Sequence, residues 1–193
     1  MKLYQTLTDT QLILHFQEGN CGALETLVSR YKDKIFSSIL FLVKDKFLAE
    51  DLFQETFLRI IDTLRSRRYN EEGKFLPWAM RIAHNLCIDY YRKTKRTPKI
   101  TTPDGFDIFN ILKFSDNNPE KIIIRQQSHQ KVREMVDNLP NEQKEVVILR
   151  HYADLSFKEI AEITNVSINT ALGRMRYALI NLRKIQKEKQ IAL

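Results

Sequence analysis

From Asp154 to Lys184 the chain reads DLSFKEIAEITNVSINTALGRMRYALINLRK: two short amphipathic segments of helical period, joined by a tight polar turn. That pattern commits the end of the chain to paired helices. Ser156 and Glu159 stand at S-x-x-E spacing, so each side chain reaches the other's backbone N–H and the first helix starts there. It ends near Thr164 and Asn165, and Ser167 supplies the next N-cap. Beyond it Ala171, Met175, Ala178, Leu182 and Ile185 recur at helical spacing and turn inward. Asn169, Thr170, Gly173, Arg174, Arg176 and Tyr177 are left facing outward. A basic outer face with small residues suits the groove of duplex DNA, where the second helix of a helix-turn-helix lies. The plainer alternative is a helical hairpin whose arginines only keep a surface solvated.

Elsewhere the chain favours the same class of structure. Only five glycines occur in 193 residues, well below the roughly 7% of average usage. An all-α protein is expected. The formal charge of +7 points to a polyanionic partner. Its distribution is more telling: residues 81–96 carry net +4 and residues 174–189 net +5, so the remainder is slightly acidic. Two separate basic patches imply two contacts with a phosphate backbone.

Several classes are disfavoured. Cys21 and Cys87 lie far apart, without the spacing of a zinc site or a disulfide framework, and are expected as reduced thiols. His84 stands three residues before Cys87 with no further ligand nearby, which reads as a buried thiol beside a surface histidine. There is no nucleotide-binding loop, metal site or nucleophile paired with a base, so neither an enzyme nor a cofactor is expected. The N-terminal MKLYQTLTDTQL lacks a signal-peptide core, and no run approaches the roughly 20 apolar residues of a membrane span. A soluble cytoplasmic protein without membrane insertion is expected.

Prolines mark the organisation. Pro98, Pro103 and Pro119, with Asp104-Gly105 and the polar run Ser115 to Asn118, define a linker over 98–120. Phe106, Ile108, Phe109, Ile111, Leu112 and Phe114 are too apolar for a freely solvated tether, so it is expected to dock on a domain or a partner. The chain thereby divides into two small helical domains, 1–97 and 121–193. In the first, helices are predicted at Asp9–Glu18, Gly22–Val43, Phe47–Ser66 and Pro77–Thr94. Thr8 and Gln11 form a capping box, Gly19 is a stop signal and Pro77 sits in a first turn. Phe53, Phe57, Ile60, Ile61 and Leu64 make the core stripe of the third helix, while Glu50, Asp51, Gln54 and Glu55 gather on another face. In the second domain helices are predicted at Lys121–Leu139 and Asn141–Tyr152, succeeded by the helix-turn-helix, in a four-helix or winged-helix-like arrangement.

The stretch Lys74 to Arg96, KFLPWAMRIAHNLCIDYYRKTKR, interleaves Phe75, Trp78, Tyr90 and Tyr91 with Arg81, Arg92, Lys93, Lys95 and Arg96. Single strands reward flat side chains on which bases stack, at about 1–3 kcal/mol each. Melted DNA or RNA is therefore favoured as a ligand. The alternative is that Trp78, Ile82 and Leu86 form a core face.

These residues carry a resemblance. Phe75, Trp78, Ile82-Ala83, Asn85, Asp89 and Arg92, in that order, resemble the promoter-melting segment of the extracytoplasmic-function sigma factors, the small two-domain branch of bacterial sigma factors. Ala49-Glu50-Asp51 with Gln54, Glu55, Thr56 and Phe57 resembles that family's polymerase-docking helix. Leu139-Pro140, Val146 to Arg150, Leu155-Ser156 and Glu159-Ile160-Ala161 resemble the start of its C-terminal domain.

The resemblance implies a subunit that binds core RNA polymerase and directs promoter-specific initiation, with an anti-sigma factor as a further partner. It implies that Glu50, Asp51, Gln54 and Glu55 bind polymerase. A flipped base of the downstream, minus-ten element would be held in a loop pocket that His84, Asn85 and Leu86 match. Trp78, Arg81, His84, Asn85, Asp89, Tyr90, Arg92, Lys93, Lys95 and Arg96 would together contact that single strand. Ser167, Asn169, Thr170, Leu172, Gly173, Arg174, Arg176 and Tyr177 would contact the upstream, minus-thirty-five element. The chain departs from the family where Thr, Val, a Lys or Arg, Ser and Arg are common: it has Thr170, Ala171, Leu172, Gly173 and Arg174. Leu172 offers an aliphatic surface that reaches at best a thymine methyl, or else widens the core stripe. Base readout then falls to Asn169, Arg176 and Tyr177, with Arg174 on phosphate or base. Two other classes stand beside this one, a conventional duplex-binding regulator and a protein-binding helical adaptor.

Overall fold

The computed structural model describes residues 4–70, 73–96 and 131–188, and all regular structure among them is helical. The chain divides into two units, Met1–Asp104 and Gly105–Leu193. The predicted linker, 98–120, and the beginning of the helix predicted at Lys121 lie outside the described residues.

The first unit holds four helices: α1 (Asp9–Gln17), α2 (Cys21–Val43), α3 (Lys46–Arg65) and α4 (Phe75–Arg96). Thr8 caps α1, accepting from the Gln11 N–H at 3.3 Å while its own N–H donates to Gln11 Oε1 at 2.9 Å, the capping box read from the sequence. Gly19 ends that turn at φ +99°, a conformation a side chain would strain. Asp45 caps α3 by accepting from the Leu48 N–H at 3.1 Å.

Helix α1 packs on α2 and α3, α2 on α3 and α4, and α3 on α4. Leu12, Leu27, Ile35, Ile39, Ile60, Leu64, Phe75 and Met80 are sealed at their centre. Burying a side chain of this size contributes about 1.5–3 kcal/mol. Of the predicted α3 stripe, Phe57, Ile60 and Leu64 are buried and Phe53 and Ile61 partly so; Ala49, Leu52 and Thr56 join them. Polar ties close the N-terminal edge. Arg30 donates to Asp9 and to the Leu7 carbonyl at 2.9 Å, the Tyr31 hydroxyl donates to Asp9, and Gln17 donates to the Leu64 carbonyl at 3.1 Å.

The second unit holds a helix described over 131–137 (α5), α6 (Asn141–His151), α7 (Phe157–Thr164) and α8 (Ile168–Glu188). Ser156 and Glu159 form the expected capping box. Asn165 closes α7 at φ +54°, the left-handed cap that an asparagine tolerates, and Ser167 restarts the chain by accepting from the Thr170 N–H at 3.0 Å. Helix α8 packs against α6 and α7. It buries Ala171 and Ala178 completely, while Met175, Leu182 and Ile185 lean on Val136, Leu139 and Val147. The inward face predicted for α8 is the face observed.

Candidate nucleic-acid interface

On α4 the residues Trp78, Ile82, Asn85, Asp89 and Arg92 succeed one another at intervals of four, three, four and three, and therefore share one side of the helix. Arg81 and Lys93 flank that stripe, and both are exposed. Trp78 is half-buried. Its ring lies 4.3 Å from that of Tyr69, in the turn before α4, and 5.8 Å from Phe75, centroid to centroid. The tryptophan is thus anchored by aromatic packing on one side, and on the other it lines an open groove of about 580 Å³ between α3 and α4. Leu58, Arg59, Asp62 and Thr63 from α3, Arg68 from the turn, and Ile82 and Asn85 from α4 complete the lining.

Sequence reasoning missed the α3 side of this groove. No periodicity in α3 signals which of its exposed residues a second helix will approach. The guanidinium groups on that side are answered by acids: Arg59 donates to Glu55 at 2.8 Å and Arg68 to Asp62 at 2.7 Å. The far end of α4 is richer in cations than in acids. Arg92 sits 3.8 Å from Asp89 there, with both side chains largely exposed, a pair worth little in water.

Two expectations about this helix require correction. Asn85 and its neighbours do not form a loop: they lie in the middle of a continuous helix, because Ala79, Met80, Ala83, Leu86 and Cys87 bury a full helical face through that stretch. The turn in this part of the fold precedes α4. His84 is not a surface histidine but is 6% exposed, on the side of α4 that faces the core, which removes it from any strand running along the stripe. Tyr91 is tied to the body of the unit by its hydroxyl, which donates to the Leu42 carbonyl at the end of α2, while the residue stays 40% exposed. Tyr90 is half-buried, and Lys95 and Arg96 continue the helix. Burial pushes the Cys87 thiol up to about 12 and is the largest cause lifting the Tyr91 hydroxyl to about 12 as well.

The four residues expected to bind polymerase are brought together on α3. Asp51 and Gln54 are exposed or nearly so, and Glu50 and Glu55 half-exposed. Lys46 lies 3.7 Å from Glu50. At the start of the same helix stands Phe47, 79% exposed, which sequence reasoning did not single out.

On α8, Asn169, Thr170, Arg176 and Tyr177 face outward as expected. Leu172 is also outside, at 44% exposure, and does not widen the core. Arg174 is the correction here. Its guanidinium lies 4.0 Å from Glu145 on α6, with the two side chains 26% and 14% exposed, so it turns toward its own domain rather than away. Glu145 carries no sequence signal of this role; only the packing of α6 on α8 reveals it.

Residues 27–97 match the family described as Sigma-70 region 2, and residues 129–178 the one described as Sigma-70, region 4. The ECF RNA polymerase sigma factor SigM of Bacillus subtilis (strain 168) is 30% identical over 149 residues, which cover 75% of this chain and 83% of SigM. The chain is an extracytoplasmic-function sigma factor. As such it directs promoter-specific transcription initiation by RNA polymerase, recognising promoter DNA and helping to melt it. This sigma factor is also 28% identical to SigW of Bacillus subtilis (strain 168) over 176 residues, 89% of the present chain and 93% of SigW. Its fold is similar to that of the sigma factor RpoE of Bartonella quintana, solved with the anti-sigma factor NepR: TM-score 0.66, 16% identity, 85% of this chain and 96% of that one. It is likewise similar to CnrH, solved with the cytosolic domain of CnrY: TM-score 0.65, 19% identity, 93% and 97% coverage. No helix among the described residues of the sigma factor is long and apolar enough to cross a membrane.

Proposed function

We propose a division of labour in which three helices of this sigma factor serve three partners. The face of α3 that carries Glu50, Asp51, Gln54 and Glu55 docks on core polymerase, its acidic and amide groups meeting a basic surface. The stripe of α4 from Trp78 through Arg81, Asn85 and Asp89 to Arg92 and Lys93, continued by Lys95 and Arg96, holds the opened downstream strand. A base turned out of the duplex enters the groove between α3 and α4, stacks near Trp78 and offers its edge to the Asn85 amide. Helix α8 enters the upstream major groove, with Asn169, Arg176 and Tyr177 outermost.

The observation that carries this reading is the continuity of the α4 stripe, which runs from an aromatic-walled groove into net positive charge. Stacking and phosphate contact on one face are what single-stranded DNA requires and duplex DNA does not. The polypeptide then catalyses nothing itself; core polymerase supplies the chemistry, in the cytoplasm. A protein of the anti-sigma class, the kind of partner with which RpoE was solved, holds it inactive until needed.

Reconstitution tests the whole. Purified protein with bacterial core polymerase should produce transcripts from cognate promoters, whereas a conventional regulator would shift duplex DNA unaided and an adaptor would do neither. Permanganate footprinting should show strand opening that W78A/N85A reduces while duplex binding persists. Equal loss of both would overturn the single-strand role. Replacing Glu50, Asp51, Gln54 and Glu55 together by alanine should weaken polymerase affinity roughly tenfold, about 1.4 kcal/mol, with an unchanged circular dichroism spectrum. Unaltered affinity would remove that face from the docking surface.

A further inference from the structure

Granted the proposed entry of α8 into the upstream groove, on which the inference rests, three features of its first two turns converge. First, they offer no cation to the groove. The guanidinium within them, Arg174, is paired with Glu145 at 4.0 Å. Second, their outer surface is aliphatic at two points, Ile168 and Leu172, 46% and 44% exposed. The polar groups beside them are the Asn169 amide and the Thr170 hydroxyl, the latter 2.9 Å from the Ser167 hydroxyl. Third, Gly173 lies inside a 21-residue helix, and a Cβ built on it would meet nothing within 4 Å. Glycine weakens a helix interior relative to alanine, and no neighbour within the chain requires its bare backbone there. The backbone at Gly173 is thus left open on its outer side.

Guanine presents two acceptors in the major groove and is read by a cationic fork; thymine presents a methyl group, and adenine an acceptor and a donor that an amide matches. We infer that the first two turns of α8 press closely on A·T pairs, with Leu172 as a specificity-determining residue packed on a thymine methyl and Gly173 as the clearance that admits the groove edge. Asn169 is placed to pair with adenine on the same face. Arg176, further along the helix, flanks this patch.

The test uses holoenzyme reconstituted from the full chain and core polymerase. Selection from a library randomised upstream should yield an A·T-rich element. Deoxyuridine in place of thymidine at one selected position should lower initiation about fourfold, the value of a single buried methyl group. L172A should erase that difference between the two DNAs. G173A should raise the thermal midpoint of the protein while lowering initiation that depends on the upstream element. Selection of guanine at the positions facing Leu172, indifference to uracil, or a G173A protein of full activity would overturn the inference. If neither L172A nor R176A alters dependence on the upstream element, α8 is not the reader at all. If R176A does and uracil has no effect, only thymine reading fails.

Discussion

Helices α4 and α8 both carry a basic end, yet they are embedded to different depths. Helix α4 buries Phe75, Ala79, Met80, Ala83, His84, Leu86 and Cys87, whereas α8 fully buries only Ala171 and Ala178. The deep helix forms a wall of its domain's core, and its neighbour α3 stands close enough to make a groove. The shallow one rests on Ala171 and Ala178, with Met175, Leu182 and Ile185 only partly covered and Ile168, Leu172, Tyr177, Leu179 and Ile180 all exposed. A walled groove suits a base taken out of the stack; a slim, projecting helix suits the groove of an intact duplex. The same contrast separates substitutions that unfold the protein from those that only change what it reads.

The strongest test of that contrast is Phe75→Ala, which should cost the first unit about 3–5 kcal/mol, while Leu172→Ala should change stability by less than about 0.5 kcal/mol. Denaturant unfolding tracked through Trp78, the single tryptophan, measures the former; a similar small cost for both would mean α4 is not anchored as described. Next in size, Arg176→Ala should lose about 1–3 kcal/mol of upstream discrimination if its guanidinium grips a base with two hydrogen bonds. An equal loss on every promoter would make it a phosphate clamp. Ser156→Ala removes one half of the α7 capping box and should cost the second unit about 1 kcal/mol, seen as a lower midpoint in thermal unfolding with the first unit unaffected.

The last effect appears only in alkali. The fold raises Cys87 from 9.0 and Tyr31 from 10.0, each to about 12, with burial the leading cause. Both are neutral when protonated, so between those values the folded state holds more protons than the unfolded one. Their contribution is complete below pH 9 and is lost as pH climbs towards 12. Thiol labelling at about pH 8, just under the ordinary thiol range, should accordingly modify exposed Cys21 quickly and buried Cys87 only after unfolding. Rapid native labelling of both would contradict the packing of α4.

Much of the fold was legible because its signals are local. The Thr8–Gln11 and Ser156–Glu159 boxes, the stop at Gly19 and the inward stripe of α8 depend on residues three or four apart, and each was found where expected. The candidate sites were legible as sets of residues but not as surfaces. His84, Asn85 and Tyr90 are near neighbours in sequence, and a helix turns through about 100° per residue, so burial of one side sent His84 inward while leaving Asn85 exposed. A contiguous motif can mark a helix as functional without stating which of its members reach the ligand.

From the order of residues alone came the helical class, the two domains with their separate positive ends and the sigma-factor resemblance. The first two rest on hydrophobic period, capping chemistry and charge, which act over a turn or two of chain, and the third on the order of motif residues shared with a known family. The approach of α3 to α4 that makes the groove, and the pairing of Glu145 with Arg174, belong to the tertiary structure. They join groups distant along the chain through packing of faces whose partners no local pattern specifies.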